Sequence, residues 1–313
     1  MIRKLHCNSN IPVNEGLSIL LPAYNQVCVE RVITLKRLCD SIPSLNYEII
    51  VADDGSPDLG AVERNSAINS MANCRFIRKE RNEGSAATRN RLAELSQYEW
   101  LIFLDCDMDI PDQDFIKKYV DKRIQGCVVN GGLNIGGSME ANRRNLRYLY
   151  ESREASSHTA EQRNRNPYKS FRSTNFMIQR DLFLSIKFEE KMKRYEDVYF
   201  GKVLRQKNIK VLHIDNPVVM NDFESNPDYI NKIELDARIL STFSDELKGY
   251  SHLLTLANTL RRMPPLYYSV RTWHWAFGKA ERSILTGSHP CLKLLNIYRI
   301  GYFLSNKKIL MSN

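Results

Sequence analysis

The chain has 313 residues, of which 43% are hydrophobic and 26% charged, a composition typical of globular proteins and unlike that of collagen or low-complexity chains. Its net charge of +9 suits nucleic acid, an anionic membrane or a phosphate-bearing substrate, or simply a basic surface without a polyanionic partner. The seven cysteines are odd in number and form no CxxC pair, which argues against a disulfide framework and a structural zinc site and favours a reducing cytosol.

The N-terminus, MIRKLHCNSNIPVNEG, is basic but lacks the apolar core of a signal peptide. No stretch of the chain approaches the roughly 20 apolar residues that a membrane span requires. We therefore expect a protein that is made and kept in the cytoplasm.

Apolar runs and helical patterns alternate through the first half of the chain. The predicted elements are strands at Leu17–Leu21, Glu48–Ala52, Arg75–Arg78 and Trp100–Leu104, and helices at Val29–Ile42 and Gly84–Leu95. This alternation predicts an α/β domain with a mostly parallel sheet. Ligands of such sheets bind outside the carboxyl ends of the strands. Those ends carry a tyrosine and four aspartates, namely Tyr24, Asp53, Asp54, Asp105 and Asp107.

The middle of the chain is more polar. Between Gly131 and Ser170, Arg, Asn, Glu and Ser predominate, and Ser156–Tyr168 is predicted to be a mobile loop. The other elements predicted here are strands at Gly126–Asn130, Phe171–Ile178 and Lys210–Ile214, and helices at Glu140–Glu154 and Asp197–Gln206.

After about Asn226 the pattern is helical, and we place a soft boundary there between residues 1–225 and residues 226–313. The segments Leu253–Arg262 and Leu266–Ile284 are basic and rich in aromatic residues, and Pro264-Pro265 and His289-Pro290 interrupt the helical pattern. Two interpretations of this tail stay open. It is either an interfacial segment on an anionic membrane or a helical appendage whose aromatic residues pack on the domain.

The strongest motif is Asp105-Cys106-Asp107, a DXD sequence directly after a fully apolar strand. Two carboxylates one residue apart can chelate one divalent cation, and oxygen ligands favour Mg²⁺ or Mn²⁺. Such a cation can bridge to a diphosphate and neutralise the charge that grows on it as a leaving group. A solvated acidic turn before Pro111 is the alternative explanation.

Three weaker motifs have both a functional and an ordinary explanation. In Asp53-Asp54-Gly55-Ser56-Pro57 a carboxylate could bind a base N–H or ribose hydroxyls, or the segment is a plain turn. In Asn82-Glu83-Gly84 with Arg89-Asn90, the glycine could bring the backbone close to a ligand and the arginine could face a phosphate, or the segment opens an amphipathic helix. Glu196-Asp197 could accept a proton from a hydroxyl, or it is a helix N-cap.

Together with Pro22-Ala23-Tyr24-Asn25, these motifs resemble, in order and approximate spacing, those of family 2 glycosyltransferases of the GT-A fold over about residues 15–225. The details resemble bacterial members that build surface polysaccharide. The resemblance implies a Rossmann-like, mostly parallel sheet flanked by helices, with a helical C-terminal appendage. It also implies an inverting transfer of a sugar from a nucleotide-sugar donor, expected to be UDP-linked, to a hydroxyl of a saccharide or lipid-linked acceptor, with Mn²⁺ or Mg²⁺ as cofactor.

The resemblance further implies roles for individual residues. Asp197 would be the general base, with Glu196 beside it, and Asp107 would bind the metal together with Asp105. The expected nucleotide-sugar-binding residues are Pro22, Ala23, Tyr24, Asp53, Asp54, Asn82, Gly84, Arg89, Asp105, Cys106 and Asn175. The polar segment Gly131–Ser170 is expected to lie over the acceptor site and to order when donor binds.

One position departs from the family pattern. Many relatives have a histidine shortly after the Asn-Pro pair, whereas this chain has Val218-Val219-Met220-Asn221 there. Methionine is a poor ligand for a hard cation. Either His213 or another group takes the metal-binding role, or metal binding is weaker, and His213 could equally be a structural histidine in a late strand.

Other protein classes fit the sequence less well. A sugar nucleotidyltransferase would have a Gly-rich basic phosphate loop where this chain has Leu21-Pro22-Ala23-Tyr24-Asn25, and a dinucleotide oxidoreductase would need a GxGxxG sequence, which is absent. A nucleic-acid-binding protein would explain the basic aromatic tail but not the acidic motifs, so we expect no nucleic acid partner. A non-catalytic nucleotide-sugar or glycan-binding protein stays open. If the tail touches membrane, we expect a peripheral contact on the inner face.

Overall fold

The computed structural model describes residues 14–155 and 159–305. Within these ranges the strands are β1 (Asn14–Ala23), β2 (Tyr47–Asp53), β3 (Cys74–Arg78), β4 (Tyr98–Leu104), β5 (Met108–Asp109), β6 (Cys127–Asn130), β7 (Leu133–Ile135), β8 (Asn175–Gln179), β9 (Lys210–His213) and β10 (Val218–Met220). The α-helices are α1 (Val29–Asp40), α2 (Leu59–Ser66), α3 (Ser85–Leu95), α4 (Phe115–Val120), α5 (Met139–Asn142), α6 (Leu146–Ala155), α7 (Ala160–Arg165), α8 (Arg180–Ile186), α9 (Glu196–Gln206), α10 (Asn226–Thr242), α11 (His252–Arg261), α12 (Pro264–Thr286) and α13 (Leu292–Ser305), and a 3₁₀ helix spans Ala67–Ser70.

The central sheet of the described chain has the strand order β3-β2-β1-β4-β8-β6-β9. β3, β2, β1 and β4 are mutually parallel, β8 runs antiparallel to β4 and β6, and β6 and β9 are parallel. The sheet is therefore mostly parallel, which confirms the prediction. The apolar runs form its core because successive side chains of a strand point to opposite faces. Thus Ile19 packs in one hydrophobic cluster and Leu20 in a second one, on the opposite face of the sheet.

The register of the first strands brings the sequence motifs to one edge. Ala23 at the end of β1 pairs with Asp53 at the end of β2, and Leu20 pairs with Phe103 of β4. The loops that follow β1, β2 and β4 therefore emerge side by side. This is the edge at which parallel α/β sheets bind ligands.

A small second sheet, with strand order β5-β10-β7, lies just beyond β4. Met220 of β10 pairs with Met108 of β5, and both side chains are buried in the same hydrophobic cluster. Met220, which stands where the resemblance led us to expect a histidine, therefore fills core space.

The region between Gly131 and Ser170 is more helical than the sequence indicated. The predicted helix Glu140–Glu154 is two helices, α5 and α6. The predicted mobile loop Ser156–Tyr168 is wrong in part, because Thr159 and Gln162 form a capping box that begins helix α7. Residues 156–158 lie outside the described residues. The predicted strand Phe171–Ile178 begins only at Asn175.

The C-terminal helices pack on the rest of the chain. In one hydrophobic cluster, Ala237 and Leu240 of α10 join Met192, and Tyr195 and Val198 pack against them. A second cluster joins Leu146 of α6 to residues of α10 and α13. Both clusters cross the predicted boundary near residue 225. No helix in the described ranges combines the length and apolar character that a membrane crossing needs.

Candidate active site

A cleft of about 450 Å³ opens where the loops after β1, β2 and β4 meet. We call it the strand-end cleft. The predicted residues that line it are Pro22, Ala23, Tyr24, Asp54, Asn82, Gly84, Arg89, Asp105, Cys106, Asp107 and Glu196. Ser173 lines it too, as do four residues that no sequence motif singled out, Gln26, Ser85, Thr88 and Arg194.

Arg89 on α3 connects the acidic groups of this cleft. Its side chain is buried, and its Nη2 donates to Asp105 Oδ1 at 2.5 Å, while Nη1 lies 3.6 Å from Glu196 Oε1. Burial opposes the charge on Arg89, but Asp105 and Glu196 outweigh it and hold the pKa of Arg89 above its usual range. Its Nε and Nη1 have no hydrogen-bond partner among the described residues. Such buried, unsatisfied donors are costly unless a ligand or water completes them.

Asp105 and Asp107 supply hard oxygen ligands at the end of β4. Partial enclosure in the cleft, followed by the neighbouring Asp105 carboxylate, raises the pKa of Asp107. A divalent cation between the two carboxylates would relieve this repulsion, so the donor set fits Mn²⁺ or Mg²⁺. Within the described residues no group of three or more His, Cys, Asp or Glu side chains could hold a metal ion.

The two aspartates after β2 differ in what they contact. Asp54 accepts hydrogen bonds from the backbone N–H groups of Glu83 (2.9 Å) and Gly84 (2.8 Å) and from Lys79 Nζ (2.8 Å). Burial alone would raise the pKa of Asp54, but these bonds together hold it below its usual range. Asp54 thus fixes the turn that presents Asn82 and Gly84 to the cleft, and Gly84 has a φ of 98° that favours glycine.

Asp53 needs a correction as a ligand-binding residue. It is buried, does not line the strand-end cleft, and accepts the backbone N–H and the hydroxyl of Ser56. Its carboxylate is therefore engaged within the turn that follows β2. Its part is to hold the turn.

Asn175 also needs a correction. Its amide nitrogen donates to the carbonyls of Gly132 (3.0 Å) and Asn216 (2.8 Å), and its amide oxygen accepts from Tyr119 Oη (2.6 Å). These bonds use the buried amide to tie β8 to neighbouring loops, and Asn175 does not line the cleft. Ser173, two residues earlier, does line it.

His213 is not placed to bind a metal. It is buried at the end of β9, where its Nδ1 accepts from Arg163 Nε at 3.2 Å and its Nε2 lies 2.9 Å from the carbonyl of Pro167. Burial lowers the pKa of His213 to about 4, so the ring is neutral and both nitrogens are engaged. It lines neither the strand-end cleft nor the cavity beside it. The structural interpretation of His213 therefore fits better than the metal-binding one.

A second space of about 500 Å³, the adjoining cavity, shares Ser173, Arg194 and Glu196 with the strand-end cleft. It contains Asp197, at the start of α9. Burial first, and then the neighbouring Glu196, raise the pKa of Asp197 to about 6, against the opposing effect of Arg172 and Arg89. A half-buried carboxylate with this pKa is suited to accept a proton near neutral pH.

The walls of the adjoining cavity come from distant parts of the chain. They include Tyr150 and Glu151 of α6, Arg163 of α7, the segment 169–173 and Asp236 of α10. Arg172 Nη1 lies 3.7 Å from Glu151 Oε2. The polar segment Gly131–Ser170 thus lines the cavity that holds Asp197.

Comparisons with known proteins identify a family and several related chains. The family model "Glycosyl transferase family 2" matches residues 18–185. A chondroitin synthase of Escherichia coli is 34% identical over 108 residues, covering 34% of this chain and 15% of that protein. An uncharacterized glycosyltransferase of Haemophilus influenzae is 32% identical over 118 residues, covering 38% of this chain and 36% of that protein. The alignments thus span far less than two thirds of these relatives.

Solved structures share the fold. A mannosyltransferase of Pyrobaculum calidifontis in complex with GDP-Man and Mn²⁺ matches 96% of this chain and 90% of its own, with a TM-score of 0.57 and 13% identity. Residues 1–349 of S. aureus TarS in complex with UDP-GlcNAc match 94% of this chain and 91% of that one, with a TM-score of 0.50 and 16% identity. At such identities the likeness concerns the fold, and it confirms the GT-A architecture. Because the family model covers more than half of this chain, the chain belongs to glycosyl transferase family 2.

Proposed function

We propose that this enzyme transfers a sugar, with inversion, from a nucleotide-sugar donor in the strand-end cleft to a hydroxyl of a saccharide or lipid-linked acceptor in the adjoining cavity. The observation that carries the proposal is that Glu196 lines both spaces while Asp197, the next residue, lies in the cavity. The site of proton removal is thereby next to the place where the donor would lie. Surface polysaccharide synthesis is the process to which we assign the reaction.

On the donor side, we propose that the loops after β1 and β2 hold the nucleoside and that Arg89 meets the phosphates. The unsatisfied Nε and Nη1 of Arg89 support this, since an anionic ligand would complete them. Asp107 and Asp105 would hold Mn²⁺ or Mg²⁺, which supplies positive charge to the leaving diphosphate when bound. From the resemblance to family members, we propose a UDP-linked donor.

On the acceptor side, we propose Asp197 as the general base. The acceptor oxygen forms a bond to the anomeric carbon while the bond from that carbon to the diphosphate oxygen breaks. The hydroxyl proton passes to the Asp197 carboxylate, and the nucleoside diphosphate leaves with the bonding electrons. We propose that Glu196, which lies 3.6 Å from Arg89 and accepts a hydrogen bond from the Ser85 hydroxyl at 2.6 Å, is a positioning residue.

A donor screen tests this proposal. The purified protein is incubated with UDP-, GDP- and dTDP-sugars and Mn²⁺, and thermal stabilisation and release of the nucleoside diphosphate are measured. We expect stabilisation and slow hydrolysis with a UDP-sugar, and neither with EDTA. Stabilisation without any hydrolysis or transfer, across a panel of acceptors, would instead indicate a non-catalytic nucleotide-sugar-binding protein.

We also propose that residues 1–225 form the catalytic domain and that the helical region 226–313 touches an anionic membrane peripherally, on the cytoplasmic side. Residues 251–313 contain nine Lys or Arg and one Glu, so they carry +8 of the net charge of +9. More than half of the large exposed apolar side chains in the described ranges lie between residues 256 and 297. Basic charge next to exposed aromatic residues is the composition of an interfacial segment.

Helix α12 carries most of this surface. Small exposed residues run along its outward side, and larger exposed residues lie on both flanks of that side. One flank carries Leu266, Trp273, Phe277 and Ile284, and the other carries Tyr268, Trp275 and Lys279. Trp275 is 85% exposed. The opposite side of the helix, with Gly278 and Leu285, is buried. A helix lying flat on a bilayer would insert both aromatic flanks at the headgroup level.

A further inference from the structure

The strand-end cleft is short of accessible positive charge. Its lining includes four carboxylates, those of Asp54, Asp105, Asp107 and Glu196, but only two cations, Arg89 and Arg194, among the described residues. Arg89 is buried and already contacts Asp105 and Glu196. Arg194 keeps 34% of its side-chain surface exposed, and it forms no ion pair with Asp105 or Glu196. Of the two cations of this cleft, Arg194 is therefore the more accessible one.

A residue of the C-terminal helical region holds the Arg194 side chain in place. Its Nε donates to Asp236 Oδ1 at 2.6 Å and its Nη2 donates to Asp236 Oδ2 at 3.1 Å, a two-point contact with α10. This contact leaves Nη1 without a hydrogen-bond partner among the described residues. A guanidinium fixed along one edge by a carboxylate presents its other edge in a defined direction, which lysine cannot reproduce.

The backbone around Arg194 is fixed by the same helices. Tyr195 has a φ of 64°, in the left-handed region that a bulky residue rarely adopts. Its ring packs against the cluster formed by Met192, Ala237 and other residues of the C-terminal helices. This turn separates Arg194, which lines both spaces, from Asp197, which lines the adjoining cavity alone.

We propose that Arg194 binds the diphosphate of the donor and that Asp236, on α10, is the positioning residue that aims it there. The helical region after residue 225 thereby completes the active site. The inference rests on the proposed function in one respect, which is that the strand-end cleft holds a nucleoside diphosphate. Arg194 thus places a positive charge of the protein beside the diphosphate that leaves.

Binding measurements with UDP, inorganic pyrophosphate and uridine test the assignment, each with Mg²⁺ and by titration calorimetry. We expect Arg194→Gln to weaken UDP and pyrophosphate binding roughly 10- to 100-fold, the range for losing a hydrogen bond to a charged group. Uridine, which has no phosphate, should bind the variant as it binds the wild type. Arg194→Lys should not restore UDP affinity, because lysine cannot contact Asp236 and a phosphate in the same way.

Asp236→Asn tests the positioning role, with Glu234→Gln as its matched control. Glu234 lies on the same helix and accepts from Arg282 Nε (2.9 Å) and Tyr298 Oη (2.6 Å), but it lines neither space. We expect Asp236→Asn to raise the donor KM several-fold and to leave the acceptor KM unchanged. Glu234→Gln should change neither, even if both variants lose similar thermal stability.

The outcomes separate this inference from the proposed function. If the wild type binds neither UDP nor pyrophosphate, the proposed function fails as well. If the wild type binds UDP and Arg194→Gln binds it equally well, Arg194 does not contact the diphosphate and only this inference is overturned. A variant that keeps UDP affinity but raises the acceptor KM also overturns it, because Arg194 would then bind the acceptor.

Discussion

The strand-end cleft and the adjoining cavity share a wall but are built differently. The cleft is formed largely by loops that leave buried parallel strands, and the sheet register brings Tyr24, Asp54 and Asp105 together there. The cavity is enclosed by helices far apart in the chain, α6, α7 and α10, whose packing decides where Glu151 and Asp236 lie. The strand-end residues of such a cleft come together wherever the sheet forms. The lining of such a cavity, in contrast, changes with the position of each helix. We therefore expect donor binding to depend on few positions and acceptor binding to depend on many.

The largest expected effect concerns the base in the adjoining cavity. Asp197→Asn keeps the shape of the side chain but removes its ability to accept a proton. We expect turnover to fall by at least about 10²-fold, the scale of general-base contributions, with donor binding nearly unchanged. Steady-state kinetics and nucleotide titration together measure both quantities.

Glu196→Gln is the matched control for this variant, and it should cost less turnover. If Glu196→Gln is inactive and Asp197→Asn retains near-normal turnover, the roles of the two carboxylates are reversed. If both variants stay active, the base lies elsewhere in the chain, and the contrast between a binding cleft and a catalytic cavity is lost.

The next effect concerns the cleft. A nucleotide at about 100 times its Kd stabilises a protein by about 2.7 kcal/mol, which corresponds to a rise of several degrees in Tm. We expect this rise with UDP and Mn²⁺ or Mg²⁺, little of it with EDTA, and none of it for Asp107→Ala. The variant itself should fold normally, because Asp107 is exposed and contributes little packing. Equal stabilisation with EDTA and with Mn²⁺ would contradict the metal assignment.

A smaller effect follows from the pKa of Asp197, which burial and Glu196 raise to about 6. The base must be ionised to accept a proton, so turnover should be maximal above about pH 7 and fall about tenfold by pH 5. Arg172 and Arg89 hold this pKa down. Arg172→Gln should therefore move the acid limb of the pH profile to higher pH, while Arg205→Gln, at the far end of α9, should not. If the acid limb is identical in the wild type and in Arg172→Gln, Arg172 does not affect the pKa of the catalytic base.

The same contrast explains what could be predicted from the sequence. The cleft residues follow apolar strands, so their position could be inferred from strand ends, and most of them do line the cleft. Asp53 and Asn175 could not be excluded, because strand alternation at an uncertain boundary decides whether a polar side chain faces a ligand or the interior. Arg194 and Asp236 carry no motif, and only the packing of α10 brings them together.

Helix α7 was missed for a different reason. Its capping residues, Thr159 and Gln162, are a local signal that the polar composition of the segment concealed. His213 is one candidate metal ligand in the sequence because this chain lacks the histidine that the resemblance leads us to expect after the Asn-Pro pair. The structure shows both of its ring nitrogens bonded within the fold, through Arg163 and Pro167, and long-range contacts of this kind are absent from any sequence pattern.

The smallest effect on the enzyme itself is expected on α12, which belongs to neither space. Trp275 is 85% exposed, so Trp275→Ala should leave the free energy of unfolding within about 0.5 kcal/mol of the wild type. The variant should nevertheless sediment several-fold less with anionic liposomes, because an interfacial tryptophan contributes to partitioning even when it stabilises nothing in the fold. Leu59→Ala, which removes a 63% exposed apolar side chain from α2, is the matched control and should sediment as the wild type does. Salt should weaken binding of all three proteins, since the basic residues after residue 250 supply the electrostatic part. If the wild type does not sediment at all, or Trp275→Ala sediments equally well, this surface of α12 does not contact membrane, and the C-terminal helices act on the enzyme only by packing against the segment that carries Arg194 and Asp197.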